Sequence, residues 1–203
     1  MKEGKLLFID MDGVLNSHDN MNAMAMRQRI LSEKIGCKFN EVPDDKDQID
    51  KYKMHRYDER CLCWLEYIIL ETSCDLVISS TWRYFGLEKF TEMWNGRNCP
   101  GKIVGVTPFG GYRISDETYG TEYHTTARGW DIQQFLNDLE RHTIPESFRT
   151  NDIYDKNYTK YAILDDDTDM LKCQLPYFVQ PSFRFGLDYR TAMQVISILG
   201  KES

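Results

Sequence analysis

The chain has 203 residues, 41% of them apolar and 13% aromatic, enough for one compact unit to bury a core without a disulfide scaffold. Its 25 Lys and Arg against 32 Asp and Glu leave a formal charge of −7, which disfavours nucleic-acid binding through the whole surface but leaves room for a local basic groove. The longest apolar runs fall far short of the ~20 residues that span a bilayer, and no signal-peptide core follows MKEGK, so a cytoplasmic protein with no membrane partner is expected.

Along the chain, residues 5–9 (KLLFI) read as a buried strand. A helix is expected within 20–35, its Met21, Met24 and Met26 read as core filler in preference to an adaptable contact surface. The stretch 40–53 (NEVPDDKDQIDKYK), broken by Pro43, reads as an exposed loop or flap, or as a segment that orders only on binding. Leu62, Leu65 and Ile69 mark a helix within 56–72, and residues 75–78 (DLVI) a second strand. A helix over 87–94 and a strand over 102–106 follow. Residues 108–126, rich in Gly and Tyr and carrying Arg113 and His124, read as a loop or short hairpin. Ile132, Phe135, Leu136 and Leu139 give helical spacing within 130–141, and Ala192, Val195, Ile196 and Leu199 repeat it near the C-terminus. Between them, 161–164 and 177–179 are strand-like. This alternation predicts an α/β fold around a parallel sheet of about five strands, a single domain over 1–203 with a small cap or flap insertion at about 17–57. The six cysteines, at 37, 61, 63, 74, 99 and 173, form no CxxC pair and no zinc-like spacing, so they read as reduced and mostly buried.

The strongest chemical signal is FIDMDGVLN, in which an apolar strand runs directly into Asp10 and Asp12. Open α/β sheets bind ligands at this carboxyl edge, and two neighbouring carboxylates repel unless a cation lies between them. Mg²⁺ suits such oxygen ligands, and Gly13 allows the sharp turn. A second acidic cluster, Asp165, Asp166, Asp167 and Asp169, follows the strand YAIL, so both clusters should meet at one sheet edge. The strand 75–78 runs into Ser79, Ser80 and Thr81, whose hydroxyls can hold phosphate or simply cap a turn.

These residues resemble the haloacid dehalogenase (HAD) superfamily of phosphohydrolases, from Leu6 to about Leu199. The resemblance implies a three-layer Rossmann-like fold with minimal cap insertions, and Asp10 as the nucleophile that forms an aspartyl-phosphate. It implies Asp12 as general acid and base, and Ser79 as the phosphate-binding hydroxyl with Ser80 as fallback. Arg128 fits the third-motif cation, with Lys160, Lys102 and Arg113 as alternatives. The Mg²⁺ set would be Asp10, Asp12, Asp165, Asp166 and Asp169, with Asp166 bound directly, Asp165 supporting and Asp167 an exposed neighbour. DxDGVLN, SSTWR, GVTP and LDDDxDM also resemble compact HAD domains of RNA-repair proteins and the phosphatase half of polynucleotide kinase-phosphatases. That narrower likeness makes Arg83 a phosphate contact or else a structural ion pair. It lets Tyr84, Tyr112, Tyr119 and Tyr123 stack on bases or serve as ordinary packing.

The expected activity is therefore Mg²⁺-dependent phosphomonoester hydrolysis, with a phosphorylated nucleic-acid 3′ or 5′ end or a nucleotide as substrate and no obligate protein partner. The alternatives are a receiver-like phospho-acceptor and a nucleic-acid-end binding domain with little turnover.

Overall fold

A computed structural model describes residues 2–36, 57–109 and 128–200. Strands β1 (Lys2–Ile9), β2 (Asp75–Ile78), β3 (Ile103–Val106), β4 (Lys156–Leu164) and β5 (Phe178–Val179) form one sheet in the order β3-β2-β1-β4-β5. All neighbours are parallel. The five runs expected from the sequence are these strands, with β1 and β4 beginning several residues earlier than their apolar segments. Pairing with each other carries them outward where hydrophobicity alone gives no signal.

Register sets the working edge of the sheet. Ile9 lies opposite both Ile78 and Leu164, Ile78 opposite Val106, and Leu164 opposite Val179, so the strands end level. Four further backbone bonds continue the ladder one step past that line, from Asp10 to Leu164, Ser79 to Ile9, Thr107 to Ile78 and Asp165 to Val179. After β1 the chain moves to β2 and β3 on one side, then crosses to β4 on the other. Asp10 thus stands at the topological switch point, where crevices form in open α/β sheets.

Period-two alternation sends side chains into two cores. Leu7, Ile9, Leu76, Ile78, Ala162 and Leu164 face helices α2 (Glu59–Thr72), α3 (Leu87–Gly96) and α5 (Tyr189–Gly200). Leu6, Phe8, Val77, Val104 and Ile163 face α4 (Arg128–Glu140), where Phe8 meets Phe135 edge-on at 5.6 Å. The result is the three-layer α/β architecture expected. In α2 the buried stripe is Cys61, Leu65, Ile68 and Thr72, with Leu62 and Ile69 at its margin, one residue round from the pattern read in sequence. No described helix is long and apolar enough to cross a membrane. Cys61, Cys63, Cys74, Cys99 and Cys173 are free thiols, two of them buried, one half-buried and two exposed.

Helix α1 (His18–Ile35) corrects one expectation. Its methionines are not core filler: Met26 is 66% exposed, and Met21 and Met24 are only half-buried. The sheet face it would have to reach is already closed by α2, α3 and α5, and none of the described α1 side chains joins that core. The stretch 40–53, most of the loop 108–126, and Tyr112, Arg113, Tyr119, Tyr123 and His124 lie outside the described residues.

Phe135 fills the α4 side so closely that a Cβ on Gly105 of β3 would approach its ring to 2.9 Å. Phe135→Ala should therefore cost about 3–4 kcal/mol, seen as a lower urea midpoint with an unchanged slope.

Candidate active site

Asp10 and Asp165 are the first residues beyond β1 and β4, and the Ile9–Leu164 pairing brings them side by side. Both are buried, and with half-buried Asp166 they place one ligand oxygen each within 4.8 Å of the others. Gly13 makes this possible in two ways: its φ is +78°, and a Cβ there would fall 2.4 Å from the Asp166 carboxyl carbon. Only a residue without a side chain lets the first turn close against the second acidic cluster.

Arg128 opens α4 and enters the cluster from the opposite side. Its Nη1 donates to Asp10 Oδ1 at 2.7 Å and to the Ser79 carbonyl, and lies 3.3 Å from Asp165 Oδ2. Its position is enforced from the chain after β4. Asp169 accepts the Arg128 backbone N–H at 2.7 Å through Oδ2 and the Gly129 N–H through its carbonyl. Buried Gln174 donates to the Gly129 carbonyl at 2.8 Å and accepts from Leu171 N–H at 3.1 Å. A Cβ at Gly129 would meet Leu171 N at 2.5 Å, so helix and loop are locked together.

One guanidinium does not neutralise three carboxyls. Burial, and then the neighbouring Asp10, pushes Asp165 up to about 8. Burial, Asp10 and Asp167 push Asp166 up to about 6. Burial also raises Asp10, outweighing the Arg128 cation beside it. The Asp165 Oδ1 accepts the Asp167 backbone N–H at 3.0 Å, but its Oδ2 is buried with no hydrogen bond. A buried carboxylate oxygen without a hydrogen bond, facing Arg128 only as a 3.3 Å ion pair and set among hard oxygen donors, fits a small divalent cation.

The carboxylate of Asp12 does not join those three. It accepts Trp82 Nε1 at 2.8 Å and Asn16 Nδ2 at 3.0 Å, which aim it from the first turn across to the chain after β2. Asp169 likewise serves α4 as its cap, and Asp167 is exposed. Of the two serines, Ser80 has the side chain that favours the charged form of Asp10, while its hydroxyl accepts the Trp82 backbone N–H at 3.3 Å. The Ser79 hydroxyl is buried and unpartnered, while its carbonyl receives both Arg128 and Arg83. Arg83 is buried, donating through Nη1 to the Ser79 and Ser80 carbonyls and through Nη2 to Asp131 at 2.6 Å. Lys102 pairs with Asp152, and Lys160 lies in β4 opposite Lys5, well short of the Asp165 end. Sequence reasoning did not single out Trp82, Asn16 or Gln174. Trp82 carried the one usable clue, an indole N–H donor inside the Ser-Ser-Thr-Trp-Arg strand end.

A parallel sheet with an Asp-x-Asp-Gly turn at its switch point, a second acidic pair on the adjacent strand and an arginine between them define a HAD-type phosphohydrolase. Residues 6–192 match the family described as the HAD domain in Swiss Army Knife RNA repair proteins, and the chain belongs to that family. Neither a curated protein nor a solved structure matches it.

Asp165 and Asp166 hold protons in the folded metal-free protein more tightly than unfolded carboxyls, which titrate near 3.9. The stability they contribute is complete below about pH 4 and is lost as pH rises through about 6 and then about 8. In chelator, the melting temperature should fall from about pH 5 to 8.5, and Asp165→Asn should flatten the slope. A wild-type curve that stays level or rises over that range contradicts the buried-carboxyl account.

Proposed function

We propose that the chain is a Mg²⁺-dependent phosphomonoesterase that works through an aspartyl-phosphate on Asp10 and acts on phosphorylated nucleic-acid ends or nucleotides. The observation that carries this reading is the convergence of Asp10, Asp165 and Asp166 around one uncompensated pocket of negative charge, with Arg128 fixed on Asp10. The RNA-repair description of the family supports the choice of substrate.

Asp10, Asp165 and Asp166 would hold the ion, and Mg²⁺ bound there supplies the positive charge that lets a phosphate dianion approach carboxylates. Asp10 attacks phosphorus through a carboxylate oxygen, forming the Asp10–O–P bond as the P–O bond to the alcohol breaks. Asp12 gives its proton to the departing oxygen, then takes one from the water that attacks the phosphoaspartate. That second displacement breaks the Asp10–O–P bond, releases inorganic phosphate and restores both carboxyls. Arg128 orients Asp10 throughout and meets the negative charge that gathers on the phosphoryl oxygens. Trp82 and Asn16 fix the orientation of the Asp12 carboxyl that serves this proton transfer.

Asp10→Asn should lower hydrolysis of a generic aryl phosphate and of phosphorylated oligonucleotides by at least ~10³-fold with an unchanged circular dichroism spectrum. Unaltered turnover refutes the nucleophile, and a long-lived phosphoaspartate in the wild type points to a phospho-acceptor switch instead. Trp82 acts through Asp12, so Trp82→Phe should reduce kcat roughly tenfold while leaving KM within about twofold. An increase in KM alone would assign Trp82 to substrate binding rather than to positioning.

A further inference from the structure

Next to the acidic cluster the chain carries aromatic surface that neither the core nor the phosphate chemistry uses. Ser80 caps a short 3₁₀ helix, Thr81–Phe85, through its side chain. Tyr84 on that helix is 76% exposed, and its ring lies flat against Phe109, with centroids 4.0 Å apart and planes 20° from parallel. Phe109 is itself 39% exposed. It follows β3 by three residues, just past Thr107, whose N–H extends the ladder at the level of Ser79. The Arg83 guanidinium stands 4.4 Å from the Phe109 centroid, and Arg83 is clamped to the Ser79 and Ser80 carbonyls and to Asp131. The stacked pair is therefore tied by a buried cation to the Ser79 carbonyl, which also receives the Arg128 that binds Asp10. Tyr84 stands four residues past Ser80, on the helix that leaves the end of β2 beside Asp10.

An aromatic ring this exposed, held flat by a second ring, gains nothing from the fold on its outer surface. A bare phosphate gains nothing from it. A nucleobase does, because every base presents a π-face whatever its sequence. We propose that Tyr84, backed by Phe109, is the stacking platform for the base of the nucleotide whose terminal phosphate enters at Asp10. This rests on the phosphatase reading above and narrows its substrate class to esters that carry a base beside the phosphate.

The test compares two RNA oligonucleotides with a terminal phosphate, identical except that one lacks the base on the terminal nucleotide. Each is offered with Mg²⁺ to the wild type, Tyr84→Ala and Tyr84→Phe, and binding of the same fluorescein-labelled oligonucleotides is followed by anisotropy. Wild type should prefer the base-bearing end. Tyr84→Ala should raise KM and Kd for that end roughly tenfold, the scale of one lost base–aromatic stack, and leave the abasic end unchanged. Tyr84→Phe should keep the preference. Equal effects of Tyr84→Ala on both oligonucleotides, or none on either, overturn the platform even while hydrolysis proceeds. Absence of phosphate release from every substrate defeats the phosphatase reading alone, and anisotropy still decides the platform by whether the base-bearing end loses its advantage in Tyr84→Ala.

Discussion

Three carboxyls, each with an oxygen within 4.8 Å of the others and facing the Arg128 guanidinium, are the constraint around which this molecule is arranged. In water such a group would spread apart or take up protons. Here the acids cannot separate, because Asp10 and Asp165 are fixed by adjacent, fully paired strands that end at the same level. Protonation and cation binding are the remaining ways to relieve the repulsion, and an ion in the pocket competes directly with protons for the same oxygens. The sheet, through its register alone, creates an electrostatic deficit that a ligand removes.

Around that deficit each short segment does several jobs. The turn after β1 supplies Asp10, aims Asp12 and, at Gly13, leaves room for Asp166. The 3₁₀ helix after β2, capped by Ser80, carries Trp82 on Asp12, Arg83 under the strand end and Tyr84 at the surface. Consecutive residues of a tight helix point in different directions, so a few positions can serve nucleophile, acid, scaffold and rim together.

The strands and both acidic clusters were legible because buried parallel strands leave unmistakable apolar runs, and Asp directly after such a run has few other places to go. Arg128 was legible only through the resemblance, which expects a cation near the start of that helix. The rest depends on three-dimensional partners that no local pattern encodes. The methionines of α1 read as core because they are apolar, but whether a helix face is buried depends on which other helices have already covered the sheet. The stripe of α2 was off by one residue because Cys61 and Thr72, weakly apolar by type, are drawn inward by where the helix docks. Asp12 and Asp169 share a residue type with the clustered acids, yet a tryptophan from another loop and a helix N-terminus claim their oxygens. Gln174 left no trace in sequence at all, since a buried glutamine that staples two backbones looks like any surface glutamine.

The stretch after β4 unites opposites. Asp165 and Asp166 provide much of the negative charge, and a few residues later Asp169 and Gln174 moor the helix that delivers the positive one. One short stretch thus supplies acids and also fixes where the guanidinium of α4 meets them, so a shift of that stretch would move both signs of charge together.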